Sequence, residues 1–213
     1  MPIYRLIDEL IFPPVSGAED GIVAVGGDLS PERLILAYRQ GIFPWFNEEE
    51  PIVWWSPDPR FVLFPEKLHV PKSMNRVLNQ KVFRVTYNED FEGVITHCKK
   101  TPRKGQQGTW ITEEMKAAYI QLHQLGYAKS VEVWKEGELV GGMYGVDLGG
   151  IFCGESMFSK VSNASKVAPI TFMQKFEKEG GRLFDCQVHS DHLVTLGAEE
   201  IPREEFMMYV ETA

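Results

Sequence analysis

Two carboxylates and an amide are the residues of this sequence whose types and spacing most clearly indicate chemistry. Asp185 and Gln187 stand two positions apart in a segment with the pattern of a strand, so we expect their side chains to share one face. Glu155 lies in another predicted strand that flanks the same candidate cleft. Carboxylates at a cleft indicate a functional site, but structural carboxylates also cluster. In that alternative, Asp185 and Glu155 are satisfied by backbone groups or by a lysine such as Lys166.

Other reactive chemistries find no support in the sequence. It has no HExxH or CxxC motif, and its five histidines show no metal-ligand spacing, so we predict no metal site. No nucleophile elbow or cysteine–histidine pair is visible, which argues against a covalent intermediate. Cys98, Cys153 and Cys186 are odd in number and far apart, which favours a reducing cytoplasm over a disulfide framework. We expect the Cys186 side chain to point to the opposite face from Asp185, into the core.

The distribution of charge separates one basic segment from an acidic chain. The net charge is −8 over 213 residues, which argues against a protein that coats nucleic acid non-specifically. Residues 66–104 nevertheless hold nine basic and four acidic side chains. We call this segment the basic island and predict that it binds phosphates; a solvated surface of chance composition is the alternative. No run of 18 apolar residues occurs, so we predict no membrane span.

The chain divides into two predicted domains. Residues 1–62 form a small, irregular N-terminal domain with one helix over Ser30–Gly41, in which Ser30 is the cap and Pro31 the first helical residue. Residues 63–213 alternate between strands and helices. We predict strands at 83–87, 129–134, 139–146, 151–158 and 182–188, and helices at 91–100, from 112, at 165–179, at 192–196 and at 202–209.

This order of elements describes the acetyltransferase (GNAT) architecture. We therefore predict an α/β (α+β) fold with a mixed, largely antiparallel sheet, in which two central strands separate to form a cleft. In that architecture a glycine-containing loop before the following helix grips a pyrophosphate, but residues 159–166 contain no glycine. Because a backbone cradle for phosphate needs glycines for close approach, we predict that coenzyme A binding is lost.

Five strings in the chain resemble the bacterial leucyl/phenylalanyl-tRNA–protein transferase family, and the resemblance runs from about Phe12 to about Phe206. The strings are Gly26–Pro31, Gly41–Phe46, Trp54–Arg60, Gly154–Phe158 and Asp185–Val188. The resemblance implies a small N-terminal domain packed on a GNAT-like domain of residues 63–213. It implies transfer of Leu or Phe, with Met as a further candidate, from aminoacyl-tRNA to the α-amino group of proteins that begin with Lys or Arg. The product is an N-degron, and no metal, coenzyme or ATP is implied.

The resemblance also implies roles for the residues of the cleft. In the family's proposed relay, Asp185 polarises Gln187, which then draws the proton from the amine. Because a neutral amide is a poor base, we predict instead that Gln187 orients the amine, while Asp185 fixes Gln187 or holds the ammonium charge. Glu155 would bind the cationic acceptor. The donor ester is already activated, and an α-amine with a pKa of about 7.7–8 is partly neutral in the cell, so positioning can supply much of the rate.

Aromatic and apolar residues complete the site that the resemblance implies. Trp45 and Trp110 would stack on the terminal adenosine of the tRNA, as aromatic side chains do on unpaired RNA bases; core packing is the alternative. The pocket for the Leu or Phe side chain would consist of Met143, Phe152, Phe172 and Phe184. The chain departs from the family at Phe184, where a smaller aliphatic residue is common, and at Pro169, which stands inside a predicted helix.

Contact with the tRNA backbone is predicted for four residues of the basic island. Lys72 and Arg76 match basic positions in the stretch of the family that contacts tRNA, and Lys81 and Arg84 follow them. Three other functions are alternatives to the protein-modifying transferase. They are a coenzyme A acetyltransferase, an aminoacyl transferase of the cell-wall type, and a non-catalytic RNA-binding module.

Overall fold

The structure, a computed structural model, describes residues 3–101 and 110–212. Within these ranges the chain forms a four-stranded sheet and a seven-stranded sheet. The strands are β1 (Tyr4–Leu6), β2 (Ile22–Gly26), β3 (Phe43–Pro44), β4 (Val53–Trp55), β5 (Arg60–Leu63), β6 (Arg84–Tyr87), β7 (Ala128–Lys135), β8 (Glu138–Asp147), β9 (Ile151–Ser159), β10 (Leu183–Gln187) and β11 (Glu199–Ile201). The helices are α1 (Pro31–Tyr38), α2 (Lys72–Asn79), α3 (Phe91–Lys100), α4 (Glu113–Gln124), α5 (Ala164–Lys178), α6 (Asp191–Val194) and α7 (Arg203–Val210).

The two sheets have different strand arrangements. The small sheet has the order β1-β2-β4-β3, and the large sheet has the order β11-β5-β10-β9-β8-β7-β6. In the large sheet β9 and β10 pair in parallel, and the other neighbours pair antiparallel. The predicted mixed, largely antiparallel sheet is therefore confirmed. The predicted domain boundary at residue 62 falls inside β5, and the division at that residue stays a prediction.

Side-chain caps fix where several of the predicted helices begin. The Ser30 hydroxyl accepts a hydrogen bond from the backbone N–H of Arg33 at the start of α1. Asp90 caps α3, and Thr112 caps α4 through the N–H of Met115 at 3.0 Å. Such caps satisfy backbone donors that the first turn of a helix leaves unpaired. The predicted helix and strand positions between 83 and 209 are confirmed within a few residues at each end.

Hydrophobic packing on both faces holds the large sheet in place. Neighbouring residues of a strand point to opposite faces, and in β8 Tyr144 packs with the cluster that contains α3 and α4. The adjacent Met143 packs with a second cluster, which contains α5. The helix α1 of the N-terminal part belongs to the first cluster, so the small sheet and the large sheet share one core.

The centre of the large sheet opens between β9 and β10. These strands pair in parallel only from Leu183 and Ile151 to Asp185 and Cys153. Beyond those residues β9 continues to pair with β8, while β10 turns away at Gln187. The predicted cleft between two central strands is this opening.

Candidate active site

The opening between β9 and β10 contains a cavity of about 420 Å³, which we call the large cavity of the site. Its apolar wall includes Met143, Met157, Phe184, Cys186 and Leu193. Its polar wall includes Glu155, Gln187, Ser165 and His192. A concave site with an apolar body and a few convergent polar groups is the usual form of a small-ligand site.

Glu155 is the carboxylate at the centre of the opening. Its side chain, 7% exposed, accepts hydrogen bonds from the Gln187 amide (Nε2 to Oε1, 2.7 Å) and from the Tyr119 hydroxyl (to Oε2, 3.0 Å). The Tyr119 hydroxyl also shares a hydrogen bond with that of Tyr38 in α1. Burial raises the pKa of Glu155 to about 7, against the opposing effect of its hydrogen bonds. Glu155 therefore changes charge near neutral pH.

Asp185 is wholly buried and is held by an arginine. Both of its carboxylate oxygens accept from Arg60, Oδ1 from Nε at 2.8 Å and Oδ2 from Nη2 at 2.6 Å. Oδ1 also accepts from the backbone N–H of Gln187 at 2.9 Å. Burial alone would lower the pKa of the Arg60 guanidinium, but the charge of Asp185 raises that pKa above its usual value. The partners of this carboxylate are thus a backbone amide, which the structural alternative allowed, and an arginine in place of the lysine Lys166.

Gln187 departs from the strand geometry expected from the sequence. Its φ is +65°, in the left-handed region that non-glycine residues rarely adopt. The pairing register of β10 with β5 shifts between Asp185 and Gln187, so the simple alternation that predicted a shared face does not hold across this bulge. As a result, Asp185 binds the backbone of Gln187, while the Gln187 amide turns to Glu155.

The predicted adenosine residues lie on the other side of Glu155. A smaller cavity of about 70 Å³ is lined by Phe43, Pro44, Trp45, Trp110, Glu155, Gln187 and Val188. Trp45 is half-buried and Trp110 is buried. The backbone carbonyl of Trp45 accepts from the Trp55 indole at 2.7 Å, which fixes that part of the chain. The structure therefore brings both tryptophans next to Glu155 and Gln187.

The four residues predicted for the side-chain pocket divide into two pairs. Met143 and Phe184 line the large cavity. Phe152 and Phe172 are buried behind that wall, with ring centroids 4.3 Å apart, and the Phe152 ring lies 5.5 Å from that of Phe184. Gly154 leaves room for Phe184, because a Cβ at position 154 would lie 2.5 Å from the Phe184 ring. The first pair can contact a ligand directly, and the second pair supports it.

One wall of the cavity depends on a proline inside α5. Pro169 has no N–H to donate to the carbonyl of Ser165, one turn earlier. The His192 ring donates to that carbonyl from Nε2 at 3.2 Å, and both Ser165 and His192 line the cavity. Burial lowers the pKa of His192, which favours the neutral ring.

Three residues of the site were not predicted from the sequence. Arg60, Tyr38 and Tyr119 were not predicted as site residues; of these, only Arg60 carried a signal, as the last residue of the unusual Trp54–Arg60 string. Cys186, expected to point into the core, is buried in the apolar cluster that contains α5, and it also lines the cavity. Burial raises the pKa of its thiol well above the usual value, which disfavours the reactive thiolate.

The described part of the basic island presents its predicted contacts at the surface. Lys72 and Arg76 are exposed on α2, and Lys81 and Arg84 are exposed after it. Arg84 forms a salt bridge with Glu89 at 3.4 Å, which reduces its availability for phosphate. Two further basic residues of the island, Arg103 and Lys104, lie outside the described residues, as do Gly108 and Thr109 before Trp110.

The described residues contain neither a membrane-spanning helix nor a metal-binding cluster of side chains. No helix in residues 3–101 and 110–212 is long and apolar enough to cross a membrane. In the same ranges, no group of three or more His, Cys, Asp or Glu side chains is arranged to hold a metal ion. All three cysteines are in these ranges, and none forms a disulfide.

Comparison with known proteins identifies close relatives along almost the whole chain. The family model for leucyl/phenylalanyl-tRNA protein transferase matches residues 62–211, and the model for its N-terminal domain matches residues 27–58. The chain is 60% identical over 206 residues to the leucyl/phenylalanyl-tRNA–protein transferase of Flavobacterium johnsoniae, covering 96% of this chain and 97% of that one. It is 58% identical over 211 residues to that of Christiangramia forsetii, covering 98% and 100%.

Two solved structures with low sequence identity show weak similarity to this chain. The match with a GCN5-related N-acetyltransferase from Kribbella flavida covers 80% of this chain and 60% of that chain, with 12% identity and a TM-score of 0.39. The match with a conserved protein of Staphylococcus epidermidis covers 85% of this chain and 68% of that chain, with 7% identity and a TM-score of 0.48. The assignment of the fold rests on the strand order and pairing described above.

Proposed function

Because the chain belongs to the leucyl/phenylalanyl-tRNA–protein transferase family, we propose that an aminoacyl group passes from tRNA to a protein amine beside its buried Glu155 and Gln187. The activity itself, transfer of Leu or Phe from aminoacyl-tRNA to protein, follows from 58–60% identity over nearly the full length of two relatives. Its donor is an aminoacyl-tRNA and its acceptor is a protein.

The proposed acceptors are proteins that begin with Lys or Arg, and the product is an N-degron. The proposed donors are Leu-tRNA and Phe-tRNA, with Met-tRNA as a further candidate. The proposed location is a reducing cytoplasm, because three cysteines that are odd in number and far apart do not suit a disulfide framework.

The reaction requires positioning more than strong acid or base catalysis. The amine nitrogen forms a bond to the ester carbonyl carbon, and the bond from that carbon to the terminal ribose oxygen of the tRNA breaks. The nitrogen loses a proton, and the released ribose oxygen gains one. An α-amine has a pKa of about 7.7–8 and is partly neutral near pH 7. Correct placement of amine and ester can contribute about 7 kcal/mol or more.

The observation that carries the placement is that Glu155 and Gln187 line both cavities. An ester with its amino-acid side chain in the large cavity and its adenosine beside Trp45 and Trp110 has its carbonyl carbon between the two cavities. The Glu155–Gln187 pair lies at that point, with its two side chains 2.7 Å apart. We therefore assign the acceptor amine to this pair.

Each member of the pair has a distinct proposed role. The Gln187 amide orients the incoming amine, and the Glu155 carboxylate attracts it while it is an ammonium ion. With a pKa raised to about 7 by burial, Glu155 is near the pKa of the amine and can take its proton. Asp185 does not receive the ammonium in this scheme, because it is wholly buried against Arg60. It holds the backbone of Gln187 instead.

The remaining proposed contacts extend outward from the pair. Met143 and Phe184 contact the Leu or Phe side chain, with Phe152 and Phe172 packed behind them. Trp45 and Trp110 stack on the terminal adenosine. The backbone of the tRNA crosses the basic island, where Lys72, Arg76, Lys81 and Arg84 are exposed.

A transfer assay with mass measurement tests this function. The protein is incubated with Phe-tRNA or Leu-tRNA and a peptide that begins with Arg, and the same peptide with an acetylated N-terminus is the matched control. We expect the free peptide to gain one phenylalanyl or leucyl residue and the acetylated peptide to gain none. Modification of both peptides, or of neither, would contradict the proposal.

A further inference from the structure

Arg60 is an arginine whose side chain is enclosed on every side. It is the first residue of β5 and is 1% exposed. Two of its nitrogens bind Asp185, and Nη1 donates to the carbonyl of Gly41 at 3.2 Å. Its guanidinium carbon lies 4.9 Å from the ring centroid of Phe43 and 4.4 Å from that of Phe206. A bidentate pair between two aromatic faces has one geometry, which a lysine cannot reproduce.

The enclosure of Arg60 determines what Asp185 can do. Each oxygen of Asp185 is bound to Arg60, and Oδ1 also receives the backbone N–H of Gln187. The neighbouring Cys153 thiol is buried against the same carboxylate, and burial raises its pKa well above the usual value. The carboxylate therefore has no free approach for a substrate.

The contact from Asp185 holds Gln187 in an unfavourable backbone conformation. A non-glycine residue at φ +65° persists only where its surroundings enforce it. Here the enforcing contacts are the bond from the Gln187 N–H to Asp185 and the bond from the Val188 N–H to the Cys186 carbonyl at 2.8 Å. This conformation turns the Gln187 amide to Glu155.

We propose that Arg60 is a positioning residue for aminoacyl transfer, which acts by fixing Asp185 so that Gln187 presents its amide at the reacting centre. The inference rests on the proposed function of Glu155 and Gln187. It also gives a role to the Trp54–Arg60 string, because Arg60 bridges Gly41 and Phe43 of the N-terminal part to β10. Trp55 of the same string holds the backbone carbonyl of Trp45.

The test compares Arg60→Lys with a matched variant of another buried arginine, Arg33→Lys. Arg33 is also wholly buried and binds Asp28 and three backbone carbonyls, but it lines neither cavity. In the Phe-tRNA assay we expect Arg60→Lys to lower kcat at least tenfold with the KM for Phe-tRNA within twofold. Arg33→Lys should leave kcat within twofold. An Arg60→Lys enzyme with the kcat of the wild type would overturn the proposal.

A double-mutant cycle separates positioning through Asp185 from a general structural role. If Arg60 acts through Asp185, Arg60→Lys combined with Asp185→Asn should be no slower than the slower single variant. Multiplied losses in kcat would overturn the proposal. If Arg60→Lys does not fold, the variant Phe206→Leu is used in its place, because it removes one aromatic face from the Arg60 guanidinium. We expect Phe206→Leu to lower kcat about threefold. An unchanged kcat in that variant would again overturn the proposal. A wild-type protein without transfer activity would refute the proposed function instead.

Discussion

The Gln187 amide nitrogen lies 2.7 Å from the Glu155 carboxylate, and this hydrogen bond joins β10 to β9 at the point where their backbone pairing has ended. The strands are thus held at a fixed separation by side chains that also face both cavities. Glu155 has a second anchor in Tyr119, which connects it to Tyr38 of α1. The site therefore depends on the N-terminal part of the chain as well as on the large sheet.

The raised pKa of Glu155 predicts a pH dependence of stability. The native pKa is about 7, and the unfolded value is about 4.3. Between these values the native state holds a proton that the unfolded state has released, so the free energy of unfolding falls as pH rises. Glu155→Gln removes this dependence. Between pH 4.5 and 7.5, the free energy of unfolding of the wild type should therefore fall by about 3 kcal/mol more than that of the variant. Urea unfolding of both proteins from pH 4.5 to 7.5 measures it; parallel curves would show that Glu155 titrates normally.

Removal of the Asp185 carboxylate should affect turnover and spare donor binding. We expect Asp185→Ala to lower kcat at least tenfold, because Gln187 loses the contact that holds its backbone. The affinity for Phe-tRNA should stay within twofold of the wild type. The variant also leaves Arg60 buried without its partner, a change that costs about 3–5 kcal/mol, so its melting temperature is measured alongside. Equal loss of turnover and tRNA binding would instead indicate misfolding or a role in donor binding.

Phe184 should control the choice between donors. Its ring lines the large cavity, so Phe184→Ile enlarges the space and should shift preference toward Phe over Leu. Small changes in an apolar pocket are worth about 1–3 kcal/mol, so the ratio of kcat/KM should change measurably without becoming absolute. Phe176→Leu is the control, because Phe176 belongs to the same aromatic cluster but does not line the cavity. An unchanged Phe/Leu ratio in Phe184→Ile would remove Phe184 from the pocket.

The basic island should set the salt dependence of tRNA binding. Each phosphate neutralised contributes about −0.7 to −0.9 to the slope of log affinity against log salt, so a handful of contacts predicts a slope of about −2 to −4. Replacing Lys72 and Arg76 together by Ala should flatten the slope by about one to two units and leave kcat at saturating tRNA nearly unchanged. The control pair is Arg39→Ala and Lys135→Ala, which are exposed residues outside the island. A wild-type slope in the first double variant would place the tRNA on another surface.

Local signals in the sequence were sufficient to predict most strands of the large sheet and most helices. Ser30 and Thr112 cap the helices that follow them, because capping depends on residues within one turn. The helix α2 was not predicted, since it begins after Pro71 without the side-chain cap that would mark its start.

The details of the site depend on contacts that sequence spacing does not encode. Arg60 and Asp185 are 125 positions apart, and nothing local to either residue indicates the other. Gln187 was expected to follow strand alternation, but the bulge created by its left-handed backbone redirects its side chain. Phe152 and Phe172 were recognised as apolar, yet apolarity alone does not separate the wall of a cavity from the layer behind it.

The most direct measurement of the central claim is the KM of Glu155→Gln for peptides that begin with Arg or Lys. Loss of the carboxylate removes charge attraction to the acceptor, so we predict a KM about tenfold higher, with the KM for Phe-tRNA within twofold. Glu132→Gln is the matched control, because Glu132 is another buried glutamate, held by Thr86 and Ser130 away from both cavities, and it should leave both constants unchanged. A Glu155→Gln enzyme with a raised KM for Phe-tRNA and an unchanged KM for the peptide would contradict the assignment of the acceptor amine to Glu155 and Gln187.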